Sequence, residues 1–273
     1  ATRRSEMPPV IAREVTLALG LVVLMLGSMW VATGSFPPLV VVESGSMMHE
    51  EEGSLGAIDP GDLVLVMNPD RVDIVTFAEA TEPGNENFGY ESHGMAGDVI
   101  IYKKNGLDSY TPVIHRALLK VIANSSGGWD VPGTTLRNVD SITWSLLGYE
   151  CTYHSGVYNL TIYGWEPSHE GYLTAGDNND CMIDQPSANQ PQQGSGFFVD
   201  GEPVQAVRGE WISGIASTEI PWLGAAKLVI SGTSDQVTYT TWRSLMLTIA
   251  VIISVPYILE FVMGRREQSD EEE

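Results

Sequence analysis

Two serines flank a glycine in the stretch "VVESGSMMHE" (residues 41–50), and a hydroxyl in such a place is the first candidate for chemistry. A serine hydroxyl is a weak nucleophile until a neighbouring base removes its proton. Ser46 and Ser44 therefore require a partner elsewhere in the chain. His115, in "TPVIHRAL", has the best context for a base: Val113 and Ile114 precede it in a run that reads as a rigid strand. An imidazole also titrates near neutrality without tuning. The stretch "LTAGDNNDCMIDQ" (173–185) supplies three carboxylates, Asp177, Asp180 and Asp184. A buried aspartate that accepts an imidazole N–H fixes the tautomer and stabilises the imidazolium. Read alone, the same stretch equally suits a cation-binding loop or a plain Asx-rich turn. The five histidines (49, 93, 115, 154 and 169) form neither H-x-x-x-H nor H-E-x-x-H, and no cysteine pair has zinc spacing. Metal chemistry is therefore not expected.

The elements that must hold these groups are strands. Runs rich in Val, Ile and aromatics recur at 61–67, 72–77, 97–104, 112–122, 156–165 and 203–217, each bounded by Gly, Pro, Asn or Asp. Polar loops at 79–97 and 184–196 separate them. No long amphipathic helix interrupts this pattern, so a mainly β domain is expected. Cys151 and Cys181 lie within it; an oxidising exterior permits a disulfide between them, and two separate thiols fit the sequence equally well.

Two apolar runs flank the β region. Residues 15–34 carry no charge, and they suffice to cross about 30 Å of hydrocarbon as a helix. The run is longer than a signal-peptide core and has a poor cleavage site, so a retained anchor is expected. Residues 244–263 form the second run, interrupted by Pro256 and Glu260. Arg3, Arg4 and Arg13 precede the first run, and Arg265 and Arg266 follow the second. Positive-inside logic then places 1–14 and the acidic tail 264–273 in the cytoplasm, with 35–242 outside. That outer segment holds 27 Asp and Glu against 8 Lys and Arg, out of a net charge of −21 for 273 residues. Such a surface repels phosphates, which excludes nucleic acid as a partner, and it suits a protein that works in salt.

The order "SGSMM", "IDPGDLVLV", "GDVIIY" with "TPVIHRAL", then "LTAGDNN", resembles the type I signal peptidases, in their archaeal and endoplasmic-reticulum branch, where the base is His. "EIPWLG" (219–224) is similar to a segment that follows the catalytic domain there. The resemblance covers about residues 17–230 and implies a signal-peptidase-like β catalytic domain between two transmembrane helices in the cell membrane. It implies Ser46 as nucleophile, His115 as general base, and Ser44 assisting the oxyanion hole with the Ser46 N–H. Asp177 matches the "GDNN" aspartate, and Asp184 matches a second one, one residue further along than in the family pattern. The third member of the triad therefore lies among Asp184, Asp177 and Asp180, with Asp184 the expected partner of His115 and Asp177 supporting it. The acidic insertion "MHEEEGSLGAIDPGD" also departs from the pattern.

The resemblance further implies the substrates: signal peptides of secretory preproteins, cut beside the lipid bilayer, with the protein-translocation channel as a further candidate partner. No metal or organic cofactor is implied. An anchored nucleophile would meet a membrane-held scissile bond at one height, which supplies proximity and orientation. Val40 to Val42, Met47 and Met48 are expected to line shallow pockets or rest on lipid. The alternative is a non-catalytic, membrane-tethered β-domain that acts as a scaffold or receptor. The meeting of the Ser46 hydroxyl with the His115 ring separates the two.

Overall fold

Branched apolar residues drive the apolar runs between 39 and 220 into antiparallel strands, with longer loops between them. The computed structural model describes residues 9–153, 158–186 and 196–270. In chain order the main elements are α1 (Pro9–Thr33), β1 (Leu39–Val41), β2 (Leu63–Met67), α2 (Phe77–Thr81), β3 (Val99–Tyr102), β4 (Val113–Ala123), β5 (Ile142–Tyr149), β6 (Tyr158–Trp165), β7 (Gly171–Ala175), β8 (Ile212–Ile220), α3 (Ala225–Ser231) and α4 (Tyr239–Asp270).

The principal sheet runs β1-β2-β8-β3-β4-β7, with the short strand Trp129–Asp130 added to β4. All its pairs are antiparallel. Strand β4 is the spine. His115 sits opposite Ile100 of β3, and Arg116 opposite both Val99 of β3 and Ala175 of β7. From His115 to Leu119 the strand is buried without interruption, because apolar clusters cover both faces. β5 and β6 form a separate ribbon whose inner residues Ile142, Leu146, Leu160 and Ile162 join the larger cluster.

Several expected strands shift. Residues 72–76 form no strand, and Phe77 already belongs to α2. Val75 is held by Asp98 instead, its N–H donating to Oδ2 at 2.8 Å while its carbonyl accepts from the Asp98 N–H at 2.8 Å. The chain then enters α2, which begins at a capping box formed by Thr76 and Glu79. In the run 203–217 the long strand starts only at Ile212: Val207 makes an isolated bridge to Tyr172 of β7, and a tight 3-10 turn at Gly209–Trp211 then separates it from β8. Strand β5 was not among the expected runs, although Ile142, Trp144 and Leu146 alternate with outward residues. Cys151 and Cys181 are joined as a disulfide, with Cα atoms 4.8 Å apart.

Helices at the two ends are long and apolar enough to cross a membrane. The stretches are Ile11–Thr33 and Tyr239–Ile258. The second begins five residues before the expected start, since α4 is already helical at Tyr239, where the Thr238 hydroxyl accepts from the Thr241 N–H at 3.1 Å. Pro256 lies inside α4 without ending it. Residues 1–8 and 271–273, with the basic Arg3 and Arg4, fall outside the described part, as do His154 and most of the 184–196 loop.

The end of α1 is fixed to the sheet domain. Gly34 adopts φ 74°, the left-handed turn that closes a helix, and its N–H donates to Trp30. Arg71 reaches over it to donate to the carbonyls of Val31 and Ala32 at 2.9 and 3.0 Å. Asn68 adds bonds to the carbonyls of Thr33 and Gly34. These groups satisfy carbonyls that a helix end leaves free, and place the apolar helix five residues ahead of β1.

Candidate active site

Ser46 stands just past the end of β1, in a segment pinned on both sides. Upstream, Val42 exchanges backbone hydrogen bonds with Asp62 and Gly61 at 3.0 Å. Downstream, Met47 is 1% exposed and packs with Val42, Ile58, Val64 and Val99. Met48 is buried as well. The two methionines thus anchor the serine from beneath, and neither lines a cleft nor meets lipid, contrary to expectation. The burial of adjacent residues is possible because Met48 N–H turns back to the Gly45 carbonyl.

The expected meeting of side chains takes place across 69 residues of sequence. Ser46 Oγ lies 3.0 Å from His115 Nε2. On the far side of the ring, Nδ1 lies 2.7 Å from Asp184 Oδ2 and 2.9 Å from Oδ1. A carboxylate there accepts the Nδ1 proton, which leaves Nε2 as the acceptor facing the serine hydroxyl. His115 is 2% exposed and Asp184 1%. Phe197 stacks on the imidazole with ring centres 5.8 Å apart. Ser44 Oγ lies 3.4 Å from Ser46 Oγ, and its residue is exposed.

Asp184 is held by groups that the sequence did not single out. Tyr102 OH donates to Oδ2 at 2.8 Å, and Thr174 Oγ1 donates to it at 2.6 Å. Gln185 in turn donates from Nε2 to Thr174 Oγ1 and accepts from the Thr174 N–H. Burial and the charge of Asp184 push the Tyr102 phenol well above its ordinary value, so it stays a donor. Three donors around this buried carboxylate fix its orientation.

The three aspartates separate cleanly. Asp184 reaches the imidazole, Asp180 is exposed at φ 51°, and Asp177 serves a different partner. Asp177 accepts from Arg116 Nε at 2.8 Å and pairs with its Nη2, and His49 Nε2 lies 3.0 Å from Oδ2. Burial would raise this carboxyl, but the Arg116 charge and the bonds from His49 and Arg116 outweigh it and hold the pKa at about 2. Arg116 was missed in the sequence, yet a signal exists. It follows His115 in a strand, so it must point to the opposite face, and a charge inside an apolar strand demands a partner.

Around Ser46 opens a cleft of about 1100 Å³. Its walls include Val40 to Val42, Ile101, Ile114 and Phe197, and one end reaches Gly34, Ser35 and Phe36 beside the end of α1. The site therefore combines a hydroxyl, an imidazole and an oriented carboxylate at the mouth of an apolar groove. That order of groups is able to pass a hydroxyl proton to imidazole while the imidazolium is stabilised from behind. No family model, curated protein or solved structure matches the chain. The fold and site define a mainly β domain between two apolar helices, bearing a Ser–His–Asp row.

Proposed function

We propose that this chain is a membrane-anchored serine endopeptidase of the type I signal peptidase kind, removing signal peptides from secreted preproteins. The observation that carries the reading is the hydrogen-bonded row Ser46–His115–Asp184, open to an apolar cleft that begins at the end of α1. The order of the motif boxes adds to it. Both termini are proposed to be cytoplasmic, from Arg3, Arg4 and Arg13 ahead of the first apolar run and Arg265 and Arg266 after the second, with the β domain on the far side of the cell membrane.

The geometry allows a balanced route. Ser46 Oγ attacks the scissile carbonyl as His115 Nε2 takes its proton, and Asp184 faces the Nδ1–H throughout. Charge on the carbonyl oxygen is met by the Ser46 N–H and the Ser44 hydroxyl. His115 returns the proton to the leaving amine, leaving an acyl-enzyme. Water then attacks the ester, giving up a proton to Nε2, which passes it back to Ser46 Oγ as the acid departs. An apolar signal helix and the enzyme's own anchor end at the same membrane surface, so the bond to be cut and the attacking hydroxyl share one height. The deciding experiment incubates detergent-solubilised protein with a labelled secretory precursor, wild type beside Ser46→Ala. Cleavage by the wild type alone supports the reading. Equal processing by both proteins removes Ser46 as the nucleophile, and no processing by a folded wild type removes the reading in favour of a non-catalytic tethered domain.

A further inference from the structure

His49 has no part in the route above, yet it lies three residues after Ser46 and makes a specific contact. Its side chain is 16% exposed, with Nε2 3.0 Å from Asp177 Oδ2. The 91–96 hairpin closes on the ring from the other edge, since a Cβ placed on Gly94 would come 3.0 Å from His49 Nδ1. His49 does not line the cleft.

What it holds is a fixed post. Asp177 is 2% exposed and paired with Arg116, which is itself fully buried. Arg116 Nη1 donates to the carbonyls of Ser92 at 2.9 Å and Gly97 at 2.6 Å, tying the post to the hairpin. The residue after Asp177 also grips the serine segment. Asn178 N–H donates to the Ser46 carbonyl at 2.8 Å, and Asn178 Nδ2 to the Gly45 carbonyl at 3.0 Å. Residues 45–49 are thereby stitched to residues 177–178 at both ends of the turn that carries Ser46.

Resting on the proteolytic reading, the geometry points to His49 as a positioning residue. Through Asp177 and Arg116 it holds the main chain after Ser46, so that Oγ stays at its 3.0 Å separation from His115 Nε2. It touches no reacting atom; without it the turn keeps the Asn178 bonds and the packing of Met47 and Met48 but loses its polar tie to Asp177, and Ser46 shifts from the base. A misplacement of about 1 Å at a reacting atom costs on the order of 10²-fold in rate.

The test uses the full chain in detergent and two readouts per mole of folded protein: precursor cleavage, and phosphonylation of Ser46, with loss of fluoride, by a small fluorophosphonate that needs no peptide site. For His49→Ala, both kcat and the fluorophosphonate rate are expected to fall on the order of 10²-fold. KM should stay within about threefold, because the substrate contacts are untouched. His49→Gln, whose amide is able to donate to Asp177, should recover both rates to within about tenfold of wild type, whereas His49→Leu should not. Should His49→Ala fold poorly, the Gln and Leu variants decide the matter, since both fill the space and only one bonds. Wild-type rates in His49→Leu, or equal impairment in Gln and Leu, would overturn the positioning role while leaving the proteolytic reading intact. A folded wild type that neither reacts with the fluorophosphonate nor cleaves precursor removes both.

Discussion

Gly176 stands so close to Ser46 that a Cβ built on it would lie 2.5 Å from the Ser46 carbonyl oxygen and 3.0 Å from His115 Nε2. Both neighbours are backbone or locked side chain, so neither is free to yield. Gly176→Ala should therefore push the serine segment off the imidazole, lowering precursor cleavage on the order of 10²-fold or more. A kinetic assay on folded variant checks this, and near-normal turnover would show that the two loops separate more easily than their packing indicates.

Ser46→Ala and His115→Ala are each expected to lower kcat by at least about 10⁴-fold, and the double variant little further, because groups that act as a unit are not additive. Burial of the rest of the site is unaffected by Ser46→Ala, so its thermal midpoint should match wild type. Cleavage of a labelled precursor by single and double variants is the measurement. Additive losses would mean the two residues work separately.

Asp184→Asn replaces an acceptor by a group whose amide end would face the His115 Nδ1–H, Tyr102 OH or Thr174 hydroxyl. The imidazole is then driven to the tautomer that presents N–H to Ser46, and activity should fall on the order of 10⁴-fold. Asp177→Asn should act differently. It leaves the His115 tautomer alone and unpairs the buried Arg116, so a lower thermal midpoint accompanies the lost rate. Measuring both midpoint and rate for each variant separates the two roles.

Stability should pass through a maximum in mildly acidic solution. Asp177 has its pKa lowered from 3.8 to about 2, against its own burial, by the Arg116 charge. Its contribution of roughly 2 kcal/mol is present above the unfolded value and lost as the pH falls through the folded one. Asp59 and Asp62 are raised from 3.8 to about 6, chiefly by burial, with nearby carboxylates adding to it. The folded state keeps protons there that the unfolded chain releases, so stability declines as pH rises from about 4 through 6. Thermal midpoints across this range test the sign, and Asp59→Asn should flatten the alkaline side.

The disulfide between Cys151 and Cys181 closes 30 residues beside the site, where the Cys151 carbonyl accepts from the Asn179 N–H at 2.9 Å. Reduction, or Cys151→Ala with Cys181→Ala, should cost about 3–4 kcal/mol of stability on the chain-entropy account. Denaturant unfolding with and without reductant reads the loss.

Much of the fold was legible because burial imposes patterns on sequence. The first apolar helix follows from uninterrupted hydropathy, the second from a run that Pro256 and Glu260 interrupt without ending, and the strands at β2, β3 and β4 from branched residues bounded by Gly, Pro and Asp. The exceptions have local causes. Residues 72–77 look like a strand by composition, yet Asp98 occupies the backbone of Val75 and the Thr76–Glu79 capping box starts a helix. The T-x-x-E spacing was present in the chain, but composition spoke louder than capping.

The residue types of the site were equally readable: a serine beside a glycine, a histidine in an apolar strand, and aspartates after another strand. What one dimension leaves open is the pairing among them, because hydrogen bonds are decided by distances that strand register and loop paths create. Position 184 rather than 177 meets the imidazole because the chain turns back after β7, so that the Asp184 N–H bonds to the Thr174 carbonyl. Position 177 instead falls across β4 from His115, where alternation of the strand has placed Arg116. Sequence determined which groups exist and which segments are apolar; folding decided which side chains meet, since that depends on strand register and loop paths that bring residues 69 positions apart into contact.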